Sequence, residues 1–185
     1  MRWNQFELKQ LEEDDFNTIL KWRNLSRIRN NMLSNRKITV DEHQAWFQKH
    51  LTSHSTIVKK LVYREKPIGL VSFSNIDHPN ETCYWGIYIG DETARKGSGT
   101  ALAYLALNMI FDDFNMRKVN AEVIETNHVS LSFHKKLGFV EEGRFKEQIK
   151  RDGKYIDVFT LALFKDRWKE IRDEILRRLE AMFHE

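Results

Sequence analysis

Apolar and polar residues alternate from Phe6 to Leu11, which predicts a β-strand with one face buried. Asp14 or Asp15 then stands where a helix cap is expected, ahead of Phe16, Ile19, Leu20 and Trp22 at helical spacing. A polar stretch, Arg23 to Lys37, separates this helix from a second one opening at Thr39 or Asp41 and carrying Ala45, Trp46 and Leu51. Three strand-like runs follow, Ser55–Arg64, Ile68–Ile76 and Thr82–Gly90. The turns between them, Glu65-Lys66-Pro67 and Asp77-His78-Pro79-Asn80, are short and imply antiparallel pairing. A long apolar helix then runs from Thr100 to Phe111. Arg117–Ile124 is another strand, 128–137 a helix, and 139–149 and 154–164 two further strands across the hairpin signal Arg151-Asp152-Gly153-Lys154. The tail, 166–183, places Trp168, Ile171, Ile175, Leu179 and Met182 on one helical stripe, which fits a dimer face or packing on its own sheet. About seven strands and five helices result, an α/β (α+β) chain with a mixed sheet. No low-complexity linker or repeat divides residues 1–185, so one domain is expected.

Composition narrows the chemistry. The chain is 41% hydrophobic and 31% charged with 12 Phe and 5 Trp, the make-up of a packed domain rather than a disordered segment. A lone cysteine, Cys83, excludes an internal disulfide, and no Cys/His spacing resembles a zinc site. The chain has no apolar run of membrane-spanning length and no secretory signature, so a cytoplasmic protein is expected. A net charge of +3, with acids and bases interspersed, implies no nucleic-acid partner and suits an anionic ligand.

The chemistry-bearing segment is Ala94-Arg95-Lys96-Gly97-Ser98-Gly99-Thr100, between the strand ending at Gly90 and the apolar helix. Gly97 and Gly99 let backbone approach a ligand closely. Free N–H groups at the helix start, beside Arg95 and Lys96, suit a pyrophosphate. Taken alone, the same residues describe an ordinary tightly packed helix start.

A second segment sharpens the reading. In Asn127-His128-Val129-Ser130-Leu131-Ser132-Phe133-His134-Lys135-Lys136-Leu137-Gly138-Phe139, Asn127 can cap a helix that Gly138 ends, and Ser130 and His134 share a face. Together with the glycine turn, this segment resembles the GNAT acyl-CoA N-acyltransferases. The order of elements matches over nearly the whole chain. Ala94 departs from the family's loop, which carries Arg or Gln there, leaving Arg95 or Lys96 to supply that contact. Trp22-Arg23-Asn24, Asn30-Asn31-Met32, Asp41 to Phe47 and Gly153 to Val158 resemble, more narrowly, the N-acetyltransferases of pseudaminic acid biosynthesis. These act on the 4-amino group of a UDP-linked 4-amino-4,6-dideoxy-N-acetyl-altrosamine.

The resemblance implies a GNAT sheet whose strands splay around the pantetheine of acetyl-CoA, without a metal. Cofactor contacts then fall on Ile87, Tyr88, Ile89, Arg95, Lys96, Gly97, Ser98, Gly99, Thr100, Asn127, Ser130 and Lys136. Glu122, with Glu125 as substitute, is the implied base acting through a water. His134 stands where many members place a tyrosine that protonates the leaving thiolate, and imidazole can donate that proton. For the nucleotide sugar the resemblance implies Arg23, Met32, His43, Ser74, Asn75 and Tyr84. Each has a plain alternative: a cross-strand glutamate, a surface histidine, a helix-ending arginine, a core methionine. Ribosomal-protein N-terminal or polyamine acetyltransferases of the same fold are the competing enzymes. An acyl-CoA sensor without catalysis is the competing non-enzyme.

Overall fold

The computed structural model describes residues 3–52 and 55–183. Seven strands form one sheet in the order β1-β2-β3-β4-β5-β7-β6. They are β1 Phe6–Gln10, β2 Ile57–Tyr63, β3 Lys66–Asp77, β4 Thr82–Ile89, β5 Lys118–Ile124, β6 Val140–Arg151 and β7 Lys154–Phe164. Every pairing is antiparallel except β4 with β5. The Arg151–Lys154 hairpin closes in two residues, with Asp152 at φ 50° and Gly153 at φ 80°, both left-handed as such a loop needs.

The helices are α1 Phe16–Asn24, α2 Ser26–Arg29, α3 Val40–Thr52, α4 Ser98–Asn108, α5 His128–Lys136 and α6 Lys165–Phe183. α4 continues through a wider turn, Met109–Asp113. The unexpected element is α2, inside the stretch whose polarity hid it: only Ile28 is deeply buried there. At the start of α3 the Thr39 hydroxyl accepts the Glu42 amide (3.3 Å) while the Glu42 carboxylate accepts that of Thr39 (2.9 Å), a reciprocal cap. The apolar face of α3 is His43, Trp46 and Phe47; Ala45 is exposed, and the Leu51 side chain lies outside the described residues. Asp15 precedes α1 as expected, yet its carboxylate accepts from Lys60 Nζ (2.8 Å) instead of from the helix. That ion pair is buried and pins α1 to β2.

Alternation along the strands sorts the core into two layers. Leu61, Val71, Phe73, Cys83 and Trp85 meet α4 and α6 on one face. Val58 and Leu70 meet Ile19, Trp22, Ile28 and Phe47 from α1–α3 on the other. Trp168, Ile175, Leu179 and Phe183 of α6 are buried in the first layer, whereas Met182 is 44% exposed. The stripe of α6 is therefore used up within the chain, and Phe183, not Met182, completes it. No described helix is long and apolar enough to cross a membrane.

Candidate active site

β4 and β5 pair only at Thr82↔Lys118, Cys83↔Val119 and Tyr84↔Asn120. Beyond Tyr84 they diverge, with Asn120 Nδ2 donating to Cys83 O (3.1 Å) at the apex. The gap is a cleft of about 360 Å³, lined among others by Trp85, Ile87, Ala121, Glu122, Asn127 and His134. Gly90 N donates to Ile68 O, so the even residues of β4 spend their backbone groups on β3. Trp85, Ile87 and Ile89 turn theirs toward the gap. Arg27 of α2 takes up one of these, donating to Ile89 O (2.9 Å) and also to Gly90 O. Ile87 therefore offers main-chain groups to a ligand. Tyr88 does not; its side chain instead faces the opposite layer, where burial holds its phenol well above the ordinary tyrosine range.

The glycine turn opens α4 at one side of the cleft. Gly97 precedes the helix at φ 100°, and a Cβ there would lie 3.0 Å from the Phe183 ring and 3.2 Å from Met182 Sδ. Both backbone and neighbours thus demand glycine. Ser98 is buried and turned inward, its hydroxyl donating to Arg95 O (2.7 Å). Gly99 lines the cleft, and the Gly99 and Thr100 N–H groups have no acceptor among the described residues, leaving the helix start open to an anion. The Arg95 guanidinium lies 5.5 Å over the Phe183 ring. Lys96 flanks the turn. Lys136 is exposed on the outer flank of α5, with His128 and Lys135.

On the other side, Asn127 Oδ1 caps α5 by accepting from Ser130 N (3.1 Å), which leaves its Nδ2 for the cleft. His134 is 4% exposed at the cleft wall. Its Nε2 accepts from the Trp85 indole N–H (3.1 Å), and its Nδ1 sits 2.8 Å from Ser130 O. An indole nitrogen only donates, so Nε2 carries a lone pair and the single ring proton is on Nδ1, bonded back to the helix. Burial also holds its pKa below the ordinary imidazole value, against the pull of the Ser130 carbonyl. The expected role of proton donor to the leaving sulfur meets a ring with no proton directed into the cleft.

Glu122 alternates with the buried Ala121 and Val123, so its carboxylate stands exposed at the cleft mouth. Glu125 is engaged elsewhere: one oxygen accepts from Asp157 N (3.0 Å) and the other pairs with Arg144 (3.0 Å). It ties β5 to β7 and is no substitute base.

A second cavity, about 390 Å³, adjoins the cleft through Met32, Gly86, Ile87 and Tyr88. Arg23, Arg36, His43, Trp46 and Ser72 also line it. Arg36 is paired with Glu42 (2.6 Å). Arg23 donates to Ser34 O (3.3 Å), while its Nη1 is buried with no partner. Burial lowers the Arg23 pKa, Tyr88 opposing, but a guanidinium stays charged. His43 is 3% exposed, stacked on Trp46 (centroids 5.4 Å apart), with Nε2 against Phe16 O (3.0 Å). Since that nitrogen must donate, Nδ1 is an acceptor for a ligand N–H or O–H, and burial keeps the ring neutral.

Of the six acceptor residues expected, Arg23, Met32 and His43 converge on this cavity. Ser74, Asn75 and Tyr84 line neither space. Ser74 and Tyr84, paired with each other, lie further along the same sheet face, and Asn75 occupies a bulge at φ 49°. Ser72, two residues earlier, takes the place expected of Ser74. Sequence reading missed Arg27, Trp85 and Arg151. The Arg151 guanidinium, on the β6–β7 hairpin, donates to the carbonyls of Asn30 (2.6 Å), Met32 and Leu33 (3.3 Å), clasping the loop that carries Met32. Arg27 lies in the polar stretch that sequence alone leaves unassigned, and the pairings of Trp85 and Arg151 form only across the fold.

Known proteins place this geometry. The chain is 26% identical over 168 residues to the spermidine N(1)-acetyltransferase of Vibrio cholerae, covering 89% of this chain and 96% of that protein. It is 28% identical over 100 residues to the spermidine N(1)-acetyltransferase of Escherichia coli K12, covering 54% of each. Among solved structures, the Vibrio cholerae spermidine N-acetyltransferase in complex with CoA and spermine superposes with a TM-score of 0.84 at 24% identity, over 90% of this chain and 99% of that one. Residues 5–140 match the acetyltransferase (GNAT) domain family. The splayed β4 and β5, the glycine turn and the capped α5 are thus those of an acetyl-CoA-dependent N-acetyltransferase, and the chain belongs to the GNAT family.

Proposed function

We propose that this N-acetyltransferase acetylates a primary amine on a small molecule that also carries an anionic group, of the UDP-4-amino-sugar kind. The observation that carries the reading is Arg23: a half-buried side chain in the second cavity whose Nη1 is itself buried with no hydrogen-bond partner. A desolvated cation lacking part of its hydrogen bonding attracts phosphate and repels a polycation. Arg36 beside it is paired with Glu42, the one carboxylate among the described residues lining that cavity, and Glu42 also accepts from Thr39, so that carboxylate is already engaged. The neutral His43, accepting through Nδ1, suits the N–H of a nucleobase or a sugar hydroxyl.

Acetyl-CoA supplies the electrophilic thioester. The turn at Gly97–Thr100 and the open main chain of Ile87 hold it, with Asn127 as a side-chain donor. The acceptor ammonium loses a proton through a water to Glu122, and its nitrogen forms the new bond to the acetyl carbon. The carbon–sulfur bond breaks, sulfur leaves as thiolate, and the surplus proton on the acylated nitrogen passes to water. A sugar amine beside electron-withdrawing ring substituents is more acidic than a lysine at about 10.4, so a strong base is not needed and a carboxylate acting through a water suffices.

A polyamine acceptor is the second reading, and the kinship with spermidine acetyltransferases favours it. Free-thiol release from acetyl-CoA separates the two, with a UDP-4-amino sugar, spermidine and N-terminal peptides run in parallel. Release with the sugar alone is expected. Release with spermidine alone transfers the acceptor assignment to the polyamine, and silence with all acceptors despite acetyl-CoA binding removes both acceptor readings.

A further inference from the structure

We infer that Trp85 and His134 form a positioning clamp that sets the width of the splayed cleft, and that the leaving thiolate takes its proton from solvent. This rests on the acetyl-transfer reading of the cleft. Trp85 is the first residue of β4 beyond the last pair with β5, Tyr84↔Asn120. Its indole therefore stands at the fork, and its N–H reaches across to a ring carried by α5, the helix that continues from β5. One buried hydrogen bond thus ties together the two arms that backbone pairing has released.

The surroundings hold the bond in a single geometry. Phe139 stacks on the indole (centroids 5.3 Å, 15° between planes) and meets His134 edge-on at 4.9 Å. Phe73 and Phe133 close the sides. Trp85 is 6% exposed, so an indole N–H deprived of His134 would be left unpaired away from water. Water is also the simpler proton source: a thiol near 8.5 is already a competent leaving group, and sulfur collects one proton from solvent after the carbon–sulfur bond has broken.

A glutamine at 134 can accept from the indole through its amide oxygen but cannot act as an imidazole acid. A phenylalanine can do neither. The test compares His134→Gln, His134→Phe, Trp85→Phe and the double Trp85→Phe/His134→Phe. It measures kcat, calorimetric acetyl-CoA affinity, thermal midpoint and the indole N–H proton resonance lost in Trp85→Phe.

His134→Gln is expected to keep kcat and acetyl-CoA affinity within about twofold and to retain a hydrogen-bonded indole resonance. Trp85→Phe and His134→Phe should each weaken acetyl-CoA binding about tenfold, and the double variant no further, because both remove one bond. The proposal is overturned if His134→Gln loses kcat as fully as His134→Phe with acetyl-CoA affinity intact and Trp85→Phe normal, the pattern of a proton donor. It is equally overturned if all variants match wild type. Should His134→Phe fail to fold, the contrast between His134→Gln and Trp85→Phe decides. A wild-type protein that binds no acetyl-CoA overturns the underlying site reading instead, while the indole resonance still reports whether the bond exists.

Discussion

The cofactor half and the acceptor half of this site are built from different materials. The cofactor half uses backbone: the open start of α4 behind Gly97, the unpaired arm of β4 and the asparagine cap of α5. Its residues are close in sequence and their geometry is fixed by local rules. The acceptor half uses side chains drawn from α1, α3, β3, β4 and the loop around Met32, and is held from outside by the Arg151 clasp and the Lys60–Asp15 pair. A main-chain cradle recognises what every family member shares. A side-chain cavity can change its charge by one substitution, so relatives with the same fold can differ in acceptor.

That contrast can be broken at defined points. The largest effect is expected from Glu122→Gln, at the junction of the halves: kcat should fall about 100-fold near neutral pH, shrinking as pH rises and solvent deprotonates the amine, with acetyl-CoA affinity unchanged in calorimetry. Gly97→Val should strike the cofactor half alone. It combines a left-handed backbone cost of about 1–2 kcal/mol with a clash against Phe183, and should raise the acetyl-CoA KM about tenfold or more while the acceptor KM stays put.

Arg23→Gln should do the reverse, raising the KM for an anionic acceptor about tenfold, the worth of a hydrogen bond to a charged group at about 1.5 kcal/mol. If spermidine is the true acceptor, the same change leaves its KM equal or lower. Arg151→Ala should loosen the Met32 loop and raise only the acceptor KM, by about threefold. The smallest effect concerns the apex. Burial pushes the Cys83 thiol up to about 12, so the native protein should resist alkylation at pH 8 and react on unfolding.

Legibility in the sequence follows the same division. Asn127 and Gly138 announced α5 because caps are local, and the period-two pattern placed Glu122 opposite Ala121 and Val123 correctly. α2 was hidden because four mostly polar residues carry no periodic signal, and its role depends on contacts with distant strands. The proton state of His134 was equally out of reach. It is set by Trp85, 49 residues away in the chain, and only a fold brings them together. Ser74 and Asn75 failed for a narrower reason: the cavity ends at Ser72, two residues before Ser74, and Asn75 falls in the irregularity between Ser74 and Asp77.

The charge of the acceptor cavity is the central claim, and binding tests it most directly. Calorimetric titration of UDP and of spermine into the CoA-loaded protein, with Arg23→Gln as control, reads that charge without requiring turnover. UDP should bind and lose at least tenfold in the variant, while spermine should bind weakly or not at all. Tight spermine binding that is unchanged or improved in Arg23→Gln, with no uptake of UDP, would contradict the account.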